Sequence, residues 1–223
     1  MTMEKDKPMA VLTEGLGSLF IEGKYSDLTV ACGPSSYRTH KAVLCTQSPF
    51  FAKACDGSFK EASTGIIELT EDDPEAVRMM MHYFYHHDYP HVTLHQADEA
   101  GKKDPKPNSN LVIHSRVYAL GEKYAVEGLM AVALAKFVSE AKVHWESKDF
   151  LQAVEYIYSA TPEHDRGLRD AVKDVFYKNR WDLMHNEDAM RCLREVPDLA
   201  YDVFIHTCKV SHSELNHWGS DAY

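Results

Sequence analysis

The chain has 223 residues, enough for one large domain or a domain with an extension, and enough to fold without disulfides or metals. Thirty-four acidic against twenty-four basic residues give a net charge of −10 with neutral histidines, a sign that repels phosphate backbones and argues against direct nucleic-acid binding. Five scattered cysteines without a CxxC, no apolar run of membrane-spanning length and an N-terminus salted with acids predict an intracellular protein, cytoplasmic or nuclear, that does not bind membranes.

From Met9, the residues Leu12, Leu16, Leu19 and Phe20 recur on one face of a helix, weakened by Gly15 and Gly17. Ser26–Cys32 alternates like a half-buried strand, Gly33–Ser36 is turn chemistry and Tyr37–His40 is a returning strand, so the three make a hairpin. Lys41–Thr46 reads as a short helix, and Ser48-Pro49 as an N-cap with proline at the first helical position. Phe50, Phe51 and Ala54 follow as its apolar face. The polar stretch Gly57–Gly65 reads as loop, and Ile66–Leu69 as a third strand.

Asp73-Pro74 opens a helix with Val77, Met80, Met81 and Phe84 at helical spacing, extended by Tyr85 and Tyr89; the acids at 71–73 suit its N-terminus. His87–Asn110 interrupts the pattern as an insertion, with an exposed loop over 100–110. Leu111–Ala141 is helical with a break near Tyr124–Val126. Further helices are predicted over Ser147–Tyr158, Asp165–Leu183 and Glu187–Cys208, the last broken at Pro197. The fold class is α+β: a small three-stranded sheet flanked by helices, then an all-helical extension.

Chemical sites are few. His82, His86, His87, His91 and His95 crowd fourteen residues, and His82/His86 have the i, i+4 spacing of a two-histidine metal edge, but the glutamate of HExxH is missing. A helix end rich in histidine accounts for them as well. Cys45 and Cys55 read as small core residues rather than nucleophiles, and Lys102, Lys103 and Lys106 as a solvated loop run. No catalytic residue, metal or cofactor is assigned, and no enzyme is predicted.

The order of these pieces resembles the BTB/POZ domain. The similarity runs through Tyr25-Ser-Asp27-Leu-Thr-Val, Tyr37-Arg-Thr-His40-Lys41-Ala-Val-Leu44, Ser48-Pro-Phe-Phe51, Phe59-Lys-Glu61, Ile67-Glu-Leu69, Asp73-Pro-Glu-Ala76, His82-Tyr-Phe-Tyr85 and Ala119–Ala125. It divides the chain into an N-terminal segment with a dimerisation-type helix (1–24), a BTB/POZ domain with a loop insertion at 87–110 (25–141), a C-terminal helical extension (147–210) and a tail (211–223). The layout looks like that of stand-alone fungal members.

The resemblance implies a homodimeric scaffold that recruits partner proteins. It places Leu12, Leu16, Leu19 and Phe20 at a two-fold interface with Asp27 and Lys41 in a charged pocket beside it; packing within the subunit and a local salt bridge are the competing readings. The 1–8 segment lacks the alternation of an exchanged strand. A substrate adaptor of a cullin-RING ubiquitin ligase is the alternative, with Ile113, Ser115 and Tyr85 at the cullin-type surface and Ser115 standing where the family's adaptors carry an acid. A histidine-dependent metalloenzyme is the remaining one.

Overall fold

The computed structural model describes residues 6–56, 60–91 and 109–219, with side chains between 8 and 210. Phe59, His95, Lys102, Lys103, Lys106, most of the insertion and the end of the tail lie outside the described residues.

In chain order the elements are α1 (Asp6–Glu22), β1 (Leu28–Cys32), β2 (Ser35–Thr39), α2 (Lys41–Leu44), α3 (Pro49–Asp56), α4 (Lys60–Thr64), β3 (Ile66–Glu68) and α5 (Pro74–His86). They continue with α6 (Leu111–Lys123), α7 (Glu127–His144), α8 (Lys148–Ala160), α9 (Gly167–Lys178), α10 (Arg180–Leu183), α11 (Glu187–Glu195) and α12 (Pro197–Gly219). The chain falls into two compact units. The first holds everything described up to residue 91 together with 116–133, and the second holds 109–115 and 134–219.

In the first unit the sheet order is β2-β1-β3. β1 pairs antiparallel with β2, Val30 opposite Tyr37, and parallel with β3, Val30 opposite Ile67. The parallel pair needs a crossover, supplied by α2, α3 and α4. Leu28, Val30 and Cys32 point alternately into the core with Ile67, while α5 buries Val77, Met79, Met80, Met81, Phe84 and Tyr85. The aromatic centre is Phe51, which meets Phe84 edge-on at 5.6 Å and Tyr124 at 5.7 Å.

Local chemistry sets the joints. Ser48 accepts the N–H of Phe51 at 3.2 Å and donates to the carbonyl of Tyr124 at 2.6 Å, so the predicted N-cap also ties α3 to the α6–α7 turn. Asp73 caps α5 through the N–H of Ala76 at 2.9 Å and takes Arg116 of α6 at 2.8 Å. Asp72 is held by Lys123 at 2.6 Å and by the Tyr124 hydroxyl. The acids at 72 and 73 therefore anchor α6 as well as suiting the α5 dipole.

Several expectations shift. The 57–65 stretch is not all loop: Lys60–Thr64 is helical and ends at Gly65, in the left-handed region. The hairpin turn is tighter, with β2 starting at Ser35. α5 stops at His86 because His87 is left-handed (φ 54), so Tyr89 lies past the helix, although it is buried. The 165–183 helix is split at Asn179.

The second unit is helical throughout. Phe150 of α8 packs between Phe137 of α7 (6.5 Å) and Phe176 of α9 (5.9 Å). Ser147 caps α8 and Asn186 caps α11. Arg169 of α9 is buried, donates to the carbonyls of Tyr158 (3.2 Å) and Thr161 (2.7 Å) at the end of α8, and lies over the Tyr158 ring at 4.7 Å. No described helix is long and apolar enough to cross a membrane.

Candidate interaction surface

Of the residues assigned to a dimer face, Phe20 sits where α1 and α5 meet. Phe20 stacks on Tyr85 with ring centroids 4.5 Å apart. A Cβ on Gly17 would lie 2.7 Å from Nε2 of His86, so the missing side chain is what lets α1 lie this close to α5. Phe20 thus packs within its own subunit. Leu16 and Leu19 are half-buried, whereas Met9 and Leu12 on the same flank are 61% and 57% exposed.

Beneath that contact runs a determined hydrogen-bond chain. Nε2 of His40 lies 2.6 Å from the carbonyl of Lys24, so it carries the proton and donates. Nδ1 is left to accept from the Tyr85 hydroxyl at 2.9 Å, and the same oxygen accepts the backbone N–H of His40 at 3.0 Å. One phenol therefore satisfies the end of β2 and orients an imidazole. Burial, with a smaller contribution from the Asp27 charge, pushes the Tyr85 phenol up to about 12.

Asp27 and Lys41 do meet, in a way that the side-chain charges alone do not suggest. The Asp27 carboxylate accepts the backbone N–H of Lys41 at 2.8 Å, at the start of α2, and its own N–H donates to Thr39 at 3.2 Å. The acid acts as a cap supplied from the neighbouring strand. Asp27 is exposed and Lys41 half-exposed, so this corner remains open to solvent.

The cullin-type surface fares differently. Tyr85 is fully buried and Ser115 nearly so, its hydroxyl turned back to the carbonyl of Val112 at 2.7 Å; Ile113 is half-buried. Two of the three side chains present nothing to a partner.

His82 and His86 stack at 4.0 Å, and each Nδ1 contacts a backbone carbonyl, of Asp88 at 2.8 Å and of His82 at 3.1 Å. Burial holds His82 below the ordinary imidazole range, with the neighbouring His86 adding to it. Cys55 is buried and Cys45 half-buried. Burial, then the Cys55 thiol beside it, pushes Cys45 up to about 12, the opposite of a nucleophile's shift.

Sequence reasoning missed the linking role of Gln47, which donates to the carbonyls of Val43 and Phe84 and ties α2 to α5. It also missed Arg169. A lone glutamine or arginine between apolar residues carries no periodic signal.

Comparison with known proteins agrees with this picture. Residues 16–98 match the model of the BTB/POZ domain. Among mouse proteins, TD and POZ domain-containing protein 5 is 25% identical over 122 residues (55% of this chain, 31% of its own length), and TD and POZ domain-containing protein 2 is 28% identical over 125 residues (56% and 30%). The chain thus spans about a third of the curated relatives that it matches. The solved BTB domain of zebrafish PATZ1 is similar at 16% identity and a TM-score of 0.42, over 57% of this chain and 89% of that one. Residues 16–98 are thus similar to the BTB/POZ domain, a protein–protein interaction module.

Proposed function

We propose that the chain is a non-enzymatic scaffold that forms a homodimer through α1 and recruits partner proteins from the paired subunits. The observation that carries this is that the apolar stripe of α1 is covered at one end only. Toward its C-terminal end Phe20 stacks on Tyr85 of α5, whereas toward its N-terminal end Met9 and Leu12 stand in solvent. An exposed apolar flank continuous with a packed one costs solubility unless something covers it, and a two-fold pairs such a flank with itself. Bivalency then supplies the mechanism: two recruiting surfaces on one scaffold raise avidity ~100-fold or more when geometry permits.

Light scattering on a sizing column tests it. The wild type should run at about twice the 25.3 kDa chain mass, and Met9→Glu with Leu12→Glu should shift it toward monomer with an unchanged circular dichroism spectrum. Phe20 is unsuitable for substitution because it stacks on Tyr85 of its own subunit. A wild-type monomer at all concentrations would sink the scaffold. Co-elution with a cullin N-terminal domain would instead restore the adaptor role despite the buried Ser115.

A further inference from the structure

α12 turns Leu199 inward, where it is fully buried, and turns Tyr201, Phe204 and Cys208 outward. Tyr201 and Phe204 are 65% and 64% exposed, although they are among the larger apolar side chains of the second unit. Steps of three and four residues set the three on one line along the helix. Asp198 and Lys209, both exposed, sit eleven residues apart on the same flank of that line, an acid at its N-terminal end and a base at its C-terminal end. Asp198 reaches Arg169 only at 3.6 Å and keeps most of its side chain in solvent.

An acid, an apolar line and a base in this order complement themselves under one operation. A two-fold perpendicular to the helix lays two copies antiparallel, with the centre between Val203 and Phe204. Each Asp198 then lies beside the other copy's Lys209 on the same flank, the two Phe204 rings meet at the axis, and Tyr201 lies against the region of Cys208. Parallel pairing would set the two Asp198 level on opposite flanks, with no Lys209 beside either. We propose that the outer face of α12 is a self-association surface whose occupant is α12 of a second copy, antiparallel and distinct from the α1 face. The line spans about three turns, so the interface falls below the ~1,200 Å² of a standard stable complex and belongs to the weak class that forms at micromolar concentration or above.

Sedimentation velocity over a concentration series of the full chain tests this, on the background Met9→Glu/Leu12→Glu so that the α1 face is out of play. That variant should still show concentration-dependent dimer. Adding Phe204→Glu should leave only monomer, and Lys209→Glu should weaken association at least tenfold. Asp198→Lys together with Lys209→Glu should restore it. Alkylation of Cys208 by a maleimide should slow as the dimer forms. A background variant that stays monomeric at the highest concentration, or a Phe204→Glu variant that associates as before, would overturn the proposal. Failure of the charge swap to rescue would overturn the antiparallel arrangement. The α1 scaffold fails separately: there the wild type and the background variant would have the same mass, while Phe204→Glu alone would give monomer.

Discussion

Tyr85 in the first unit and Arg169 in the second solve the same problem with opposite chemistry. Each is a buried polar side chain that satisfies the backbone of a neighbouring segment. Tyr85 is neutral: its hydroxyl takes one N–H from His40 and gives one hydrogen to the same residue's ring. Arg169 is charged, and its guanidinium fills the open carbonyls at the C-terminus of α8, where the helix dipole favours a cation, while its face lies on Tyr158. A neutral hydroxyl has little to desolvate. A buried cation has much, so it is worth having only when every donor is used and is costly to truncate. The surroundings fit that distinction: beside Arg169, the Tyr158 hydroxyl, Arg166 and Asp202 form a further linked group, with Tyr158 to Asp202 at 2.9 Å and Arg166 to Asp202 at 3.0 Å.

The sharpest way to break the comparison is at the charged end. Arg169→Leu removes the donors to two carbonyls and the Thr161 hydroxyl, and leaves acceptors in a buried place. The expected loss is about 2–4 kcal/mol, at the upper end of single hydrogen-bond truncations because the donor is ionised. Urea titration should show it, and the second unit should unfold before the first. A loss below ~1 kcal/mol would mean that water replaces the guanidinium freely.

At the neutral end, Tyr85→Phe keeps the stack on Phe20 and orphans the N–H of His40, for a smaller loss of about 1–3 kcal/mol. Its pH dependence separates it from a packing defect. The folded phenol ionises at about 12, whereas unfolded tyrosines ionise near ~10. Below ~10 both states are neutral and the contribution is complete; between ~10 and about 12 the unfolded state releases its proton first, so stability falls as pH rises. Burial also raises Tyr124 and Tyr158, so the wild type should lose stability steeply in that window, and Tyr85→Phe less steeply. Equal slopes would mean that Tyr85 ionises no later in the fold than out of it.

How far each tie was legible follows from its chemistry. Tyr85 extends the apolar face of α5, and His40 stands in the segment that resembles the family, so both were singled out, although the bond between them was not. The resemblance also puts Tyr85 at a partner surface, because a matched position shows which residue corresponds but not how deep it lies. Asp27 and Lys41 were paired by resemblance, whereas the contact runs to a backbone amide that no side-chain pattern reports. Arg169 left no trace: in DAVKDVF-type helical sequence an arginine reads as solvated, and only the spatial neighbour, the end of α8, makes it structural. Capping residues with a local partner, such as Ser48, Asp73 and Ser147, were the easiest to read because donor and acceptor lie three residues apart.

The smallest effect lies at a turn that both kinds of reading found. The break expected near Tyr124–Val126 is a Schellman closure: the N–H of Val126 donates to the carbonyl of Gly121 at 2.7 Å and that of Ala125 to Glu122 at 3.0 Å. Ala125 stands at the left-handed position with φ of 53, where glycine is the usual occupant, and its side chain is exposed. The closure is therefore held by what surrounds it, with Tyr124 fixed by Ser48 and Asp72 on one side and α7 starting at Glu127 on the other. Ala125→Gly relieves the Cβ–carbonyl crowding of ~1–2 kcal/mol but gives the unfolded chain more freedom, which returns roughly 0.5–1 kcal/mol. A net gain of about 0.5–1 kcal/mol should appear as a higher urea midpoint with an unchanged slope. A loss instead would mean that the flanking anchors, rather than the crowding, set the energy of this turn.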